Sequence, residues 1–338
     1  MARAQVTAGA RLHFGFCNLS LARERLYGGL GVGLREPRVV IEAEPAGEVE
    51  AIGGTDRNDG SDGDIEPAAR RAVSLLGVSG ATVTLVEGYP RHVGLGSGTQ
   101  FALATYAAVA RAHGREPRVR EHAPELGRGG RSGVGVGVFE EGGFCLDVGH
   151  PAERFTAERP VDGAWSVPPA GARHEIPPDW RFVVAVPGIE PGKSGEEEDA
   201  GMRATVEQAD PQIADEISQV VTGRLLPAVA EGTHEEFGSA VREIGRLNGA
   251  WYANEQGGTY RPPLGAVLER MNASPAISGA GQSSWGPTVY GVTTAARAER
   301  GAAATRDALD EAGVGSEVSV RRPANAGARI ETVQTRRA

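Results

Sequence analysis

A glycine-rich turn, Gly94-Leu95-Gly96-Ser97-Gly98-Thr99-Gln100, leads directly into the apolar run Phe101 to Val109. A turn that opens into a helix leaves the first backbone N–H groups of that helix unpaired and directs the positive end of the helix dipole outward. Small residues let a bulky anion approach the backbone closely. Residues 94–100 therefore predict a phosphate-binding loop, although a glycine-rich connection between a strand and a core helix has the same pattern.

The composition is typical of a globular protein with room for two domains. Of the 338 residues, 40% are hydrophobic and 23% are charged, and the net charge of -9 argues against general nucleic-acid binding. Lys193 is the only lysine, so contacts with phosphate or carboxylate groups fall to arginine. Cys17 and Cys145 lack CxxC spacing and predict buried thiols rather than a disulfide framework. No apolar run approaches the roughly 18 residues of a membrane helix, and we expect a cytoplasmic protein.

Strand and helix patterns alternate in an order that predicts α+β layers in two halves. Strands are predicted at residues 3–16, 27–34, 38–44, 81–86, 129–138, 144–148, 181–186, 288–293, 317–321 and 328–333. Helices are predicted at 65–76, from the glycine turn to about 113, from 196, and at 211–231, 234–248, 262–271 and 295–312. Residues 53–64, 187–195 and 276–284 predict loops, and the proline-rich stretch 151–179 predicts a linker.

One similarity to an ATP site fails on its spacing. Gly188-Ile189-Glu190-Pro191-Gly192-Lys193-Ser194 follows a predicted strand, as a P-loop does. A P-loop needs four residues between its two glycines so that the backbone curls around a phosphate, whereas this chain has three, one of them proline. Lys193 is therefore predicted to be an exposed loop residue.

Three glycine-rich segments, in order along the chain, resemble the motifs of the GHMP superfamily of small-molecule kinases. Pro90 with Gly94 to Gly98 matches the second motif, P-x(3)-G-L-G-S-S-[AG], and Ser278 to Ser284 resembles the third. Arg11 to Phe16, with Tyr27-Gly28-Gly29, resembles a degraded first motif. The resemblance implies a two-domain α+β GHMP-kinase-like fold with a ligand cleft between the halves. The halves are an N-terminal α/β domain (residues 1–160, loop 94–100) and a C-terminal ferredoxin-like α+β domain (residues 175–338, loop 278–286).

Two departures from the kinases weaken a kinase interpretation. Gly98 stands where these kinases usually carry serine, and residues 133–138 contain no acid where many of them use a catalytic aspartate. A kinase can work by positioning and electrostatics without a base, so phosphoryl transfer stays open.

A narrower resemblance accounts for these departures and spans nearly the whole chain. It is to the β-ribofuranosylaminobenzene 5′-phosphate synthase family of archaeal methanopterin synthesis. The matching segments are Arg11 to Gly15, His92 to Gln100, Gly129 to Gly135, Gly142 to Phe144, Asp147 to His150, Asp179 to Phe182, Ser194 to Glu197, Asn248 to Trp251 and Gln282 to Thr288.

That family has a GHMP fold but is not a family of kinases. The resemblance implies condensation of 5-phosphoribosyl 1-diphosphate with 4-aminobenzoate or 4-hydroxybenzoate, with release of diphosphate and CO2. Such a reaction needs anion stabilisation, with Mg²⁺ on the leaving group, and correct placement of the aromatic ring. The resemblance also implies a homodimer that acts on small molecules, with neither nucleic acid nor membrane as a partner.

On this resemblance, the site residues take the following expected roles. The diphosphate is held by Gly94, Leu95, Gly96, Ser97, Gly98 and Thr99, and the cleft is lined by Gln282, Ser283 and Ser284. Arg11, His92 and Arg131 are the catalytic candidates, each of which could instead be a solvated surface charge. Trp251 and Tyr252 are the candidates to sandwich the aryl ring, although an aromatic pair is more often part of a core.

The remaining candidates concern the metal and two histidines. Glu196, Glu197 and Glu198 are expected to approach Mg²⁺ through water, although acids in a first helical turn also cap a helix. Asp147 is a second metal candidate. His13 and His150 flank glycine-rich turns, where a lone histidine is more often structural.

Two rival functions remain open at this point. The first is an ATP-dependent GHMP small-molecule kinase, which keeps the fold and changes the chemistry. The second is a non-catalytic protein that binds a phosphosugar or nucleotide on the same scaffold.

Overall fold

Two antiparallel sheets organise the protein. The structure, a computed structural model, describes residues 2–53, 65–153, 155, 157–190 and 195–334, so the predicted loop at 54–64 and Lys193 lie outside the described residues. The strands are β1 Ala2–Asn18, β2 Arg25–Pro45, β3 Glu50–Ile52, β4 Ala81–Glu87, β5 Phe144–Asp147, β6 His150–Pro151, β7 Ala170–His174, β8 Trp180–Pro187, β9 Gly279–Gln282, β10 Val289–Thr294, β11 Ser316–Arg321 and β12 Arg329–Gln334. The helices are α1 Ile65–Leu76, α2 Ser97–Ala112, α3 Val119–His122, α4 Val134–Glu141, α5 Gly195–Gln208, α6 Pro211–Val220, α7 Leu226–Glu231, α8 His234–Gln256, α9 Leu264–Ala273 and α10 Ala298–Glu311, with a π-helical turn Val221–Leu225 between α6 and α7.

The first sheet has the core order β12-β1-β2-β4-β3, with β5 and β6 paired to β2 and β7 paired to β5. All of its pairs are antiparallel except β3 with β4. β2 joins two segments that the sequence predicts as separate strands, because β1 pairs with both, from Asn18↔Tyr27 to Ala4↔Ala43. β12 comes from the far end of the chain and pairs with the first residues of β1.

The second sheet has the order β11-β8-β10-β9 and is antiparallel throughout. α9 and α10 pack against it around a separate apolar cluster that includes Leu264, Leu268 and Met271. β9 lies inside the small-residue stretch that the sequence predicts as a loop. It can form because Gly279 lets the strand lie directly against α8: a Cβ there would be 1.9 Å from the Gly238 carbonyl oxygen.

α2 is the central helix of the molecule. It packs against β1 and β2 on one side and against α1 and α4 on the other, and nearly every residue from Gln100 to Ala110 is buried. A helix that is apolar on all sides is expected to lie in a core. The glycine turn at its start is therefore held on a rigid element.

The predicted strand at residues 129–138 is wrong, because α4 occupies its second half and no strand forms in its first half. The Gly-Val alternation there imitates the period of a strand, but Val134 to Phe139 are buried without a polar face. The glycines serve close packing instead. A Cβ on Gly135 would be 2.9 Å from a Thr99 methyl group, and one on Gly137 would be 2.7 Å from the Cys145 sulfur. Within the described residues, no helix is both long and apolar enough to cross a membrane.

Candidate active site

The glycine turn is held on β1 by backbone and side-chain hydrogen bonds. The Arg11 backbone N–H donates to the Leu95 carbonyl at 3.0 Å, and the Arg11 guanidinium donates to the Gly94 carbonyl at 2.8 Å. Gly94 and Gly96 have φ of 96° and 75°, a left-handed conformation that favours glycine. Gly96 caps α2 and no side chain caps the helix, so its first N–H groups point at the space above the turn.

The third glycine-rich segment packs beside this turn, as the resemblance implies. The fully buried Ser283 hydroxyl donates to the Gly94 carbonyl at 2.7 Å and accepts from the His13 backbone N–H at 3.0 Å. A Cβ on Gly286 would be 2.2 Å from the Val93 carbonyl carbon, so the two segments touch through their backbones. Ser283 therefore ties the loops together and does not itself face the open space. The Gln282 side-chain oxygen accepts from the Arg261 backbone N–H at 3.1 Å, and Gln282 also lines an adjoining cavity.

Several arginines surround the start of α2. Arg11, Arg128, Arg131 and Arg159 line an open cavity of about 940 Å³ together with Thr99 and Ser284. Arg91 adds a further guanidinium: a Cβ on Gly98 would lie 3.4 Å from an Nη atom of Arg91 and 3.5 Å from one of Arg128. This cavity, which we call the arginine cavity, combines a helix N-terminus with guanidinium groups, an arrangement suited to an anion of high charge.

Burial disfavours the positive charge of two of these cations, and nearby acids offset this only in part. It lowers the pKa of Arg11 to about 10 and that of Arg128 to about 10, and the neighbouring Arg91 contributes to the shift of Arg128. Both groups are still protonated at neutral pH. Neither makes an ion pair within the part of the chain that the structure describes. An anion in the arginine cavity would remove this electrostatic cost.

Arg131 is bound differently, across the cavity to the first turn of α5. Its side chain is 14% exposed and pairs with Glu198 at 2.9 Å and with Asp199. Glu198 and Asp199 line the arginine cavity. Glu196 and Glu197, the predicted metal candidates, are exposed and lie outside this lining. Among the described residues, no three or more His, Cys, Asp or Glu side chains cluster as a metal site.

A second cavity, of about 450 Å³, adjoins the first and is lined mainly by aromatic rings and glycine. His13, Phe16, Ser284 and Trp285 lie in the walls of both cavities. Tyr252 stands beside Trp285 with ring centroids 4.6 Å apart. We call this space the aromatic cavity; its flat apolar walls suit an aromatic ring.

The structure separates the predicted aromatic pair. Tyr252 lines the aromatic cavity, but Trp251 points elsewhere, lines a different cavity with Thr205 and Gln208, and donates its indole N–H to the Asp210 carbonyl at 3.1 Å. Consecutive helical residues face different directions, so Trp251 and Tyr252 cannot face one ring together. Trp285 is the partner that sequence reasoning missed.

His92, the other catalytic candidate, lies away from both cavities. It is exposed, has φ of 59°, and is absent from the walls of the arginine and aromatic cavities. Its backbone adopts the left-handed conformation two residues before Gly94.

His13, Ser132 and Asp147 form a hydrogen-bonded chain that ends at the cavities. The His13 Nε2 atom is 3.2 Å from the Ser132 hydroxyl oxygen, and that hydroxyl donates to Asp147 Oδ2 at 3.1 Å. Asp147 is 1% exposed, and its two oxygens also accept backbone N–H groups of Gly133 and Gly149. Its carboxylate is thus directed into glycine turns and is not placed as a metal ligand.

Burial shifts the pKa values at both ends of this hydrogen-bonded chain. It raises the pKa of Asp147 to about 6, against the opposing effect of the backbone N–H groups. It lowers the pKa of His13 well below its usual value, and the positive charge of Arg11 adds to that effect. At neutral pH the chain therefore runs from a neutral imidazole to a carboxylate with an unusually high affinity for a proton.

His150 has a structural environment. Its ring stacks on Phe155 with centroids 3.9 Å apart, and Nε2–H donates to the Gly129 carbonyl at 3.1 Å. Burial lowers the pKa of His150 to about 4. The residue fixes the turn that carries Arg128 and Arg131.

We expect the variant His150→Gln to change how stability depends on pH. Folded His150 binds fewer protons than the unfolded residue between pH 4 and 6.5, so its contribution to stability rises with pH through that window and is constant above it. Gln keeps a donor for Gly129 but does not titrate. The difference in unfolding free energy between wild type and variant should therefore grow by about 3 kcal/mol over this range. Urea unfolding at a series of pH values measures it, and parallel curves would contradict the assignment.

Comparisons with known proteins identify relatives of this chain. Residues 65–140 match the GHMP kinases N terminal domain. β-Ribofuranosylphenol 5′-phosphate synthase from Methanothermobacter thermautotrophicus is 34% identical over 297 residues, which cover 85% of this chain and 88% of that protein. The synthase of the same name from Archaeoglobus fulgidus is 33% identical, over 95% of this chain and 97% of its own.

Solved structures give the fold. The mevalonate kinase from Methanococcus jannaschii superimposes with a TM-score of 0.63 at 13% identity, covering 95% of this chain and 98% of its own. The predicted GHMP-kinase-like α+β fold is thereby confirmed. The relatives that match at more than 30% identity extend over most of both chains. The chain belongs to the β-ribofuranosylphenol 5′-phosphate synthase family.

Proposed function

We propose that the protein is a decarboxylating phosphoribosyltransferase of methanopterin-type cofactor biosynthesis. It condenses 5-phosphoribosyl 1-diphosphate with 4-hydroxybenzoate or 4-aminobenzoate and releases CO2 and diphosphate. The main support for the proposal is the junction of the two cavities, where a space lined by several arginines meets one lined by aromatic rings. The phenol in the names of the relatives favours 4-hydroxybenzoate as the acceptor.

The chemistry matches what the two cavities offer. The bond between C1 of the ribose and the diphosphate oxygen breaks, its electron pair leaves with the diphosphate, and C1 becomes cationic. The ring carbon that bears the carboxylate attacks C1. The bond to the carboxylate then breaks as CO2 leaves, and its electron pair restores the aromatic ring. Loss of CO2 replaces the usual loss of a proton from that carbon, so no base is needed there. This fits the absence of an aspartate or glutamate at residues 133–138.

The residues of the arginine cavity would bind the phosphorylated substrate. The backbone of residues 94–99 and the guanidinium groups of Arg11, Arg128 and Arg131 would stabilise the charge that develops on the leaving diphosphate. Tyr252 and Trp285 would hold the ring against C1 and exclude water, which would otherwise capture the cation.

Magnesium fits this site as an ion that the substrate brings with it. Mg²⁺ commonly uses one or two carboxylates together with phosphate oxygens and water. Glu198 and Asp199 are the carboxylates that line the arginine cavity, whereas Glu196 and Glu197 are exposed outside it. Glu198 and Asp199 would therefore hold the ion, which supplies neutralisation of the diphosphate charge.

A direct assay tests the proposal against a kinase on the same fold. The purified protein is incubated with 5-phosphoribosyl 1-diphosphate, Mg²⁺ and carboxyl-labelled 4-hydroxybenzoate, and in parallel with ATP. We expect labelled CO2 and diphosphate in equal amounts and no requirement for ATP. Release of neither product, together with ATP-dependent phosphorylation, would favour the kinase; tight binding without any turnover would favour a non-catalytic binding protein. We also propose a cytoplasmic homodimer, which light scattering of the same preparation tests for its oligomeric state.

A further inference from the structure

One side chain in the wall of the aromatic cavity is a neutral imidazole with a lone pair that can accept a proton. Among the described residues that line it, His13 is the only His, Asp, Glu, Lys or Arg. The phenol groups of Tyr252 and Tyr260 are protonated, because burial raises the pKa of both. The acids of the neighbouring arginine cavity, Glu198 and Asp199, are paired with Arg131. A base for an acceptor bound in the aromatic cavity is therefore His13.

The hydrogen bonds of Ser132 determine which nitrogen of His13 is available. The Ser132 hydroxyl proton is donated to Asp147 Oδ2. The Ser132 oxygen accepts from the Val134 backbone N–H at 3.2 Å, and its second lone pair faces His13 Nε2 at 3.2 Å. With its proton committed to the carboxylate, Ser132 can only accept from His13, so Nε2 carries the ring proton. The lone pair is then on Nδ1, for which no hydrogen bond is present among the described residues.

The surrounding glycines show that the hydrogen-bonded chain of His13, Ser132 and Asp147 is closely packed. A Cβ on Gly29 would be 2.0 Å from the Ser132 hydroxyl oxygen and 2.8 Å from Asp147 Oδ2. The backbone N–H groups of Gly133 and Gly149 hold Asp147 at 2.7 and 2.9 Å. Gly29 thus has a purpose that the phosphate site does not explain: it leaves room for the Ser132 hydroxyl and the Asp147 carboxylate.

We propose that His13, backed by Ser132 and Asp147, takes the phenolic proton of 4-hydroxybenzoate while the ring attacks the ribose, and returns it after CO2 has left. The inference rests on the proposed function. His13 is the catalytic residue, and Ser132 and Asp147 are positioning residues that act through it.

The proton and electron balance closes within the site. The phenolic proton moves to His13 Nδ1, the Nε2 proton moves to the Ser132 oxygen, and the Ser132 proton moves to Asp147. The electron pair of the O–H bond forms a carbonyl on the ring, and a ring pair forms the bond to C1 as the diphosphate leaves. When the bond to CO2 breaks, its electron pair restores the ring, the phenolate oxygen takes the proton back, and the chain returns to its first state. A buried carboxylate with a raised proton affinity is suited to hold the proton in between.

The test compares two acceptors in the same variants. The variants are Ser132→Ala and His13→Asn, and the acceptors are 4-hydroxybenzoate and 3,5-difluoro-4-hydroxybenzoate, assayed at a pH at which the difluorophenol is ionised and needs no base. General-base catalysis contributes about 10²-fold or more. We expect kcat with 4-hydroxybenzoate to fall about a hundredfold in each variant at a nearly constant KM, while kcat with the difluoro acceptor falls less than about fivefold. Ser79→Ala, on an exposed loop, is the matched serine control and should change neither rate.

Activity with the difluoro acceptor also shows that each variant is folded. If both acceptors lose the same factor in both variants, or if neither loses any, the proton relay is overturned. Failure of the proposed function looks different, because wild-type enzyme would then release diphosphate with neither acceptor.

Discussion

The variant Gly98→Asp is expected to lose binding of 5-phosphoribosyl 1-diphosphate by at least about a hundredfold without losing stability. Gly98 lies in the first turn of α2, and the space beside it faces the guanidinium groups of Arg91 and Arg128. An aspartate there would place its own carboxylate on the helix N-terminus and occupy the anion position. Calorimetric titration with the substrate and Mg²⁺ measures the loss.

The same substitution should not destabilise the unliganded protein. An acid in the first turn of a helix contributes about 0.3–1 kcal/mol of stability, and this one would also compensate two neighbouring cations. The melting temperature should therefore stay constant or rise while binding is lost. Gly98→Ala is the matched control, because its methyl group would make only ordinary contacts at 3.4–3.6 Å and carries no charge. Equal loss of binding in both variants would show that backbone space rather than charge matters at this position.

The variant Arg128→Met is expected to lower kcat/KM for 5-phosphoribosyl 1-diphosphate by about 10²–10³-fold, the usual cost of removing one preorganised donor from developing negative charge. Arg128 has no ion pair among the described residues, its burial lowers its pKa to about 10, and it lies beside Arg91. Burial disfavours the charge of Arg128 more than the nearby acids Asp162 and Glu198 favour it, so its removal should raise the stability of the free protein, as is common for charges kept for function.

Ligand-dependent melting separates this role from a structural one. Diphosphate with Mg²⁺ should raise the melting temperature of wild type and have little effect on Arg128→Met. Arg118→Met is the matched control, because Arg118 is exposed at the surface and pairs with Glu121 at 3.5 Å. A lower melting temperature in Arg128→Met, or a normal response to diphosphate, would contradict the assignment.

Sequence reasoning found the parts of the site that depend on local chemistry. The glycine turn before α2, Arg11 on β1 and Ser284 in the third segment follow from residue type and order, and all three border the arginine cavity. Helix α4 was missed because alternating Val and Gly imitates a strand, while its actual environment is buried on all sides. The local pattern does not distinguish a strand from a short helix that is buried on all sides, because such burial is decided by the elements packed around the segment.

Arg128 and Trp285 were missed for different reasons. In a chain whose cations are almost all arginine, nothing in the local sequence distinguishes Arg128 from the others. Its place in the arginine cavity comes from the packing of residues 127–132 near the start of α2. The prediction that Trp251 and Tyr252 sandwich the aryl ring pairs two residues that are neighbours in sequence. The helical period already separates such neighbours by about 100°, so the need for a partner from another segment could have been foreseen.

The pairing of β12 with β1 has a consequence for synthesis of the protein. Residues 329–334 cover the edge formed by residues 2–7, so the ribosome must add the long segment between these two strands before β1 acquires its second neighbour. Until then the nascent chain carries an open strand edge, which is a template for association with other chains. Pairing between such distant segments also slows folding. Chaperone binding to ribosome-bound chains should therefore persist until β12 has emerged.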